Sequence, residues 1–275
     1  MKRSSGNSRG NGKAKPSTAK VSKHGNGAGS DVASRFYGIP LPGVNIEELS
    51  GPLIVLEGSD GSGRSTQVTL LTEWLESEGF AVQTMGLRRS LLVAQDIDGL
   101  LEENAVTRMT LALMYGTDFY DQLEHRIVPA LRSGMLVLAD RYIYSLIARG
   151  VVRGLDRGQL QGIYNMALRP NLTFWLDIRP EVGFEREFKK SNAINYWEAG
   201  LDMSLSNNLY ESFVLYQGKI RAELKHLAEG NGFVALEGER SVAAVNRELR
   251  QHIAAHLGIK PGRYSPSSAL EHLWH

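Results

Sequence analysis

Five short, mostly apolar runs recur along the chain: Leu53–Leu56, Phe80–Met85, Met135–Ala139, Leu172–Leu176 and Phe233–Leu236. Runs of this length, closed by glycine or polar residues, read as strands, and the continuous run Leu53–Leu56 as one buried on both faces. The stretches between them carry helical spacing instead. Val68, Leu71, Trp74 and Leu75 fall on one face of a helix that Gly79 ends. Two helical stretches follow, near Leu91–Glu103 and Thr107–Leu131, the second bent near Pro129. Others cover Tyr142–Arg149, Asp156–Leu168, a segment opening at Pro180, Leu205–Glu229 and Val242–Leu257. Strand alternating with helix predicts a three-layer α/β/α domain, about five parallel strands with helices on both faces.

Composition divides the 275 residues into three parts. Residues 1–30 are rich in Gly, Ser, Asn and Lys, carry Lys2, Arg3, Arg9, Lys13, Lys15, Lys20 and Lys23, and contain no acid. Such a stretch cannot bury a core and reads as a disordered basic tail, with weak nucleic-acid contact or a transit role as alternatives. With the linker that follows it makes up residues 1–50. The folded domain is expected over 51–258, and 259–275, with Pro261, Gly262 and Pro266, reads as a loose tail that Leu270 or Trp274 could dock. The net charge of +1 hides a basic tail on a mildly acidic body. The absence of cysteine excludes disulfides, thiolate metal sites and a cysteine nucleophile. No apolar run reaches the ~18 residues of a membrane-spanning helix, and the expected location is cytoplasmic.

The most informative stretch joins the first strand to the first helix: Gly58-Ser59-Asp60-Gly61-Ser62-Gly63-Arg64-Ser65-Thr66. Glycines let successive backbone N–H groups turn inward on phosphate oxygens, and the helix N-terminus adds partial positive charge. Ser65 is placed to offer its hydroxyl to Mg2+, and a basic side chain spans the terminal phosphates. The general pattern G-x-x-x-x-G-K-[ST] has lysine where this chain has Arg64. Arginine keeps the charge but presents a planar, bulkier fork, so full catalytic competence is an open question.

Together with Glu57 ahead of the loop, Val137-Leu138-Ala139-Asp140-Arg141-Tyr142, and Arg169-Pro170-Asn171-Leu172-Thr173-Phe174-Trp175-Leu176-Asp177, this loop resembles the thymidylate kinases, a branch of the P-loop nucleoside-monophosphate kinases. The resemblance covers roughly Pro52 to Leu257. It implies a P-loop NTPase fold with a short lid, ATP and a nucleoside monophosphate as partners, Mg2+ as cofactor, and a homodimer. By the same resemblance Gly58 to Thr66 hold ATP phosphates, and Asp60 faces the monophosphate nucleotide. Ser65 and Asp140 serve the metal, and Arg141 holds the acceptor phosphate. Arg64, Arg141 and Arg186 are the catalytic cations, with Lys189 and Lys190 beside Arg186 on the lid and Glu198 at its border. A capping aspartate with a surface arginine is the plainer reading of Asp140-Arg141.

The acceptor pocket is where the resemblance frays. Gly86-Leu87-Arg88-Arg89-Ser90 keeps basic residues, Arg88 among them, but lacks the family's Arg-Glu-Pro signature. Tyr115 falls where an aromatic stacks on the base. Phe119 stands in place of an arginine that reads thymine. Ser145 is retained, while Leu146 and Arg149 replace a polar residue and a tyrosine. Three readings follow: a kinase converting dTMP to dTDP, the same fold acting on another nucleotide or nucleoside, or a catalytically weak nucleotide-binding regulator. His252 and His256 lack the partners of a zinc site, and no guanine signature or serine-hydrolase elbow occurs.

Overall fold

A computed structural model describes residues 35–260, 264–268 and 270–273; the basic tail and Trp274 lie outside them. Five strands form one parallel sheet in the order β2-β3-β1-β4-β5. They are β1 (Leu53–Gly58), β2 (Val82–Gly86), β3 (Leu136–Asp140), β4 (Leu172–Asp177) and β5 (Val234–Glu237). The helices are α1 (Arg64–Ser77), α2 (Ala94–Glu102), α3 (Arg108–Gln122), α4 (Val128–Arg132), α5 (Ile143–Val152), α6 (Arg157–Ile163), α7 (Pro180–Ser191), α8 (Leu209–Asn231) and α9 (Val242–Leu257).

Alternation along the strands builds two cores, one on each face of the sheet. Leu53, Val55, Val137, Ala139 and Trp175 meet Phe119, Ile147, Tyr216 and Leu224 from α3, α5 and α8, and Tyr142 at the N-cap of α5. Ile54, Leu56, Leu138, Phe174 and Leu176 meet Leu71, Trp74, Leu75, Leu249 and Ile253 from α1 and α9. All six residues of β1 are buried, as expected of the central strand. Register brings the strands' C-terminal ends together: Leu56 and Gly86 both lie opposite Asp140, and Gly58 lies opposite Leu176. Open α/β sheets place their ligands at this edge.

Four segments differ from expectation for identifiable reasons. The helix expected over Thr107–Leu131 is three pieces: α3, a π-turn at Leu123–Ile127, and α4 with Pro129 in its first turn. Proline has no N–H for the preceding turn, and the chain absorbs the missing bond as one extra residue per turn. The helix at 156–168 ends at Ile163, because the following chain pairs with residues 35–38: Tyr37 N–H donates to Ala167 O (3.0 Å) and Arg169 N–H to Arg35 O (2.8 Å). That pairing makes 35–50 more than a linker, since Phe36 and Leu41 are buried in the core. The chain after α9 also folds back. The Tyr264 hydroxyl donates to Glu73 (3.0 Å), the Ser267 hydroxyl donates to the same carboxylate (2.6 Å), and Arg250 lies 4.9 Å from the Tyr264 ring.

Candidate active site

The loop from Gly58 to Ser65 leaves β1 and enters α1 with Gly61 at φ +77° and Gly63 at φ +87°, conformations that side chains with a Cβ resist. Gly61 has a second constraint: a Cβ there would lie 2.4 Å from the Gly183 carbonyl oxygen, so α7 packs directly on the loop. Glu187 on α7 accepts from Gly61 N–H at 3.0 Å, and Arg186 reaches Gly238 O (3.0 Å) and Gly61 O (3.4 Å). Lys189 and Lys190 are exposed at the end of α7, so Arg186 alone of the three lid cations meets the loop. Ser65 is exposed at the start of α1.

Arg64 is buried and folded inward. Its Nη1 donates to Gly58 O (2.6 Å), Ser59 O and Ser62 Oγ (2.8 Å), while Nε donates to Asp140 Oδ1 (3.0 Å). The planar fork thus spans the loop and the end of β3, a two-sided grip that a lysine ammonium cannot copy.

Arg141 has φ +76°, a costly backbone state for a non-glycine residue and one that clusters at functional sites. Its N–H donates to Leu56 O (3.0 Å), and its guanidinium turns beneath the loop to Gly58 O (3.0 Å), Ser145 Oγ (2.9 Å) and Asp60. Burial, then repulsion from Arg64 and Arg149, lowers the Arg141 pKa to about 10, so it stays cationic at neutral pH. Beneath it Glu57, fully buried, accepts from Tyr142 N–H (2.9 Å), Ser145 N–H (3.2 Å) and the Ser145 hydroxyl. Burial pushes the Glu57 carboxyl up, against the pull of Ser145 and Arg141.

Asp60 is the hub. It pairs with Arg141 and with Arg149 Nη2 (3.2 and 3.3 Å to its two oxygens), and accepts from Gln217 Nε2 (2.7 Å). Burial alone would raise its pKa, but Arg141, Arg149 and Arg64 outweigh it and hold the carboxyl well below its ordinary range.

Beside the hub opens a cleft whose walls include Arg88, Tyr115, Leu146, Arg149, Trp197 and Glu198. Burial, then the nearby Asp60 charge, raises the Glu198 carboxyl. Arg88 sits at φ +56° in a loop that Asp118 shapes by accepting from Arg88 N–H (2.9 Å) and Ser90 N–H (2.9 Å). Trp197 closes one wall: its indole N–H donates to Leu101 O (2.8 Å), and buried Arg153 donates to its carbonyl (3.0 Å) and to Asp202 (2.9 Å).

Of the expected acceptor-side residues, Tyr115, Arg88, Asp60 and Arg141 converge on this cleft or its floor. Phe119 does not: it is 1% exposed and packs edge-on against Tyr120, Tyr142 and Tyr164 in the core. Ser145 is fully buried and serves Glu57 and Arg141 rather than the cleft. The sequence reading missed Gln217, Glu187 and Arg153. Gln217 left a trace: it stands between Phe213 and Ile220 on the buried stripe of α8.

A parallel sheet whose central strand feeds a glycine-rich loop and helix, with an aspartate ending the neighbouring strand, defines a P-loop nucleotide kinase fold. Comparison with known proteins narrows the class. The thymidylate kinase family model matches residues 56–249. A probable thymidylate kinase 2 of Saccharolobus solfataricus is 34% identical over 210 residues, 76% of this chain and 98% of the relative. Thymidylate kinases of Shouchella clausii (31%, 74% of this chain and 94% of the relative) and Halothermothrix orenii (32%, 73% and 95%) are also similar. The chain belongs to the thymidylate kinase family.

Proposed function

We propose that this protein transfers the γ-phosphoryl group of ATP to dTMP, giving dTDP and ADP. The observation that carries the reading is the pairing of Arg141 and Arg149 with Asp60, with Arg64 held nearby on the loop and Asp140, between the phosphate loop and the acceptor cleft. Donor and acceptor are both anions, and the transition state spreads negative charge over the transferring oxygens. Fixed cations at that junction offset the repulsion and stabilise that charge without reorganising. In this account loop amides and Arg64 hold the donor phosphates, Arg186 covers them from α7, and Arg141 aligns the acceptor phosphate. Tyr115 provides a face for the base, and Asp60 orients the sugar and keeps Arg141 in place.

Mg2+ would be held by Ser65 and Asp140 together with substrate phosphates. One hydroxyl at the start of α1 and one carboxylate at the end of β3 fit the few protein oxygens that this ion takes, and it would neutralise phosphate charge there. The exposed apolar side chains Leu92, Met109 and Leu113 on and beside α3 support a homodimer as the working assembly. Among the described residues no helix is long and apolar enough to cross a membrane.

Leu146 on the cleft wall favours weaker base discrimination than a hydrogen-bonding side chain there would give. A charge-assisted hydrogen bond to the base contributes roughly 1.5–3 kcal/mol, one to two orders of magnitude in selectivity. ADP formation with dTMP, dUMP, dCMP and dGMP as competing acceptors tests the reading. dTMP is expected to lead; equal use of all four would overturn the assignment.

A further inference from the structure

We infer that Gln217, in the middle of α8, is a positioning residue that sets the geometry of Asp60 and ties one wall of the acceptor cleft to the phosphate loop. The inference rests on the dTMP kinase reading for its kinetic consequence but not for its structural one. Gln217 is fully buried, and both ends of its amide are committed. Oε1 accepts from Asp60 N–H (3.2 Å); Nε2 donates to Asp60 Oδ2 (2.7 Å) and to Glu198 O (2.8 Å). A residue that merely filled the core would be apolar here, because its stripe partners Phe213, Ile220 and Leu224 are buried hydrophobics. A buried amide persists only where its donors and acceptor are met.

The geometry gives this amide a specific task. Asp60 faces two guanidiniums, Arg141 and Arg149, and without the Gln217 donor on Oδ2 its carboxylate would be oriented by those two cations alone. Gln217 holds Oδ2 from the other side and pins the backbone of the same residue. That fixes the carboxylate plane against which Arg141 and Arg149 are held. The third bond reaches the carbonyl of Glu198, whose side chain lines the cleft, so α8 sets the distance between cleft wall and loop. Such positioning controls how closely the acceptor phosphate approaches the donor.

The test uses the full chain with Gln217→Leu, which removes all three bonds, and Gln217→Glu, which keeps an acceptor for Asp60 N–H but loses the donor to Asp60. Amide hydrogen exchange at Asp60 is read first. In the wild type this amide should be protected, and in Gln217→Leu it should exchange about tenfold faster, the loss of one hydrogen bond. Gln217→Glu should keep that protection. Steady-state kinetics follow. Both variants should raise KM for dTMP about tenfold while KM for ATP stays within about threefold, since Arg64 and the loop amides other than that of Asp60 are untouched. A structural role alone would lower Tm and the active fraction and leave both KM values unchanged. An Asp60 amide that exchanges freely in the wild type, or acceptor KM unchanged in both variants, overturns the inference. Protection lost as expected in a chain that phosphorylates no dTMP would fault the function and leave the positioning intact.

Discussion

Replacing Arg64 by alanine and by lysine separates the charge of this side chain from its shape. In the folded chain Arg64 bridges two elements, giving Nη1 to the loop acceptors and Nε to Asp140. Alanine leaves Asp140, a half-buried carboxylate, without its cation. Breaking a fully buried pair costs about 3–5 kcal/mol. Here the side chains keep 10% and 13% exposure, and removing Arg64 also relieves its repulsion of Arg141, so we expect a smaller loss of about 1–3 kcal/mol. That corresponds to a fall in Tm of roughly 3–10 °C for a domain of this size. Lysine keeps a donor for the loop carbonyls but has no Nε for Asp140, so its loss should be about half as large. Catalysis should respond more steeply. Removing a preorganised donor from a developing charge lowers kcat by about 10²–10³, the expectation for Arg64→Ala; Arg64→Lys should remain within about tenfold of wild type because the charge persists. A coupled assay of ADP release and a thermal melt on the same preparations measure both. If Arg64→Ala keeps more than a tenth of wild-type kcat while Tm falls as expected, Arg64 is a structural strut and the phosphate role assigned to it is wrong.

Three further expectations follow from the packing and the charges. A Cβ at Gly183 would lie 2.6 Å from Asp60 O, so Gly183→Ala should lever α7 off the loop and raise KM for ATP about tenfold, with less effect on KM for dTMP; an unchanged KM for ATP would show that α7 does not shape the donor site. Phe119→Ala should cost about 3–5 kcal/mol in urea unfolding, as core truncations do, and Phe119→Arg should fail to fold rather than sharpen thymine selectivity; a stable, more selective Phe119→Arg would return this position to the acceptor site. Glu57 titrates higher in the folded chain than unfolded, so its contribution to stability is complete below the ordinary glutamate range and is lost as pH rises through the folded value. Relative to wild type, Glu57→Gln should therefore be more favourable at pH 7 than at pH 4.5 in urea titrations, and a difference that does not change with pH would contradict the assigned shift.

The parts of the fold legible from sequence were those that depend on local pattern. The apolar runs located every strand within about two residues; for the central strand β1, buried on both faces, an uninterrupted apolar segment is required, while the edge strands β2 and β5 are only partly buried. The loop was legible because its glycines and its flanking strand and helix are contiguous. Phe119 was misplaced because one turn of helix separates a cleft-lining position from a core position, and α3 turns Tyr115 and Phe119 to different neighbours. Phe36 escaped notice because a lone aromatic among glycines and prolines carries no period, and its partner Leu168 lies far along the chain. Gln217 and Glu187 act on a loop more than 120 residues away, a contact that no local pattern encodes.

The central claim is phosphoryl transfer to dTMP by a loop that carries Arg64 in place of lysine. Its most direct test is ADP release by the purified full chain with ATP and Mg2+, with and without dTMP. The account predicts turnover that requires dTMP, with dTDP formed in equal amount; ATP binding without dTDP formation would contradict it and mark the protein as a nucleotide-binding regulator.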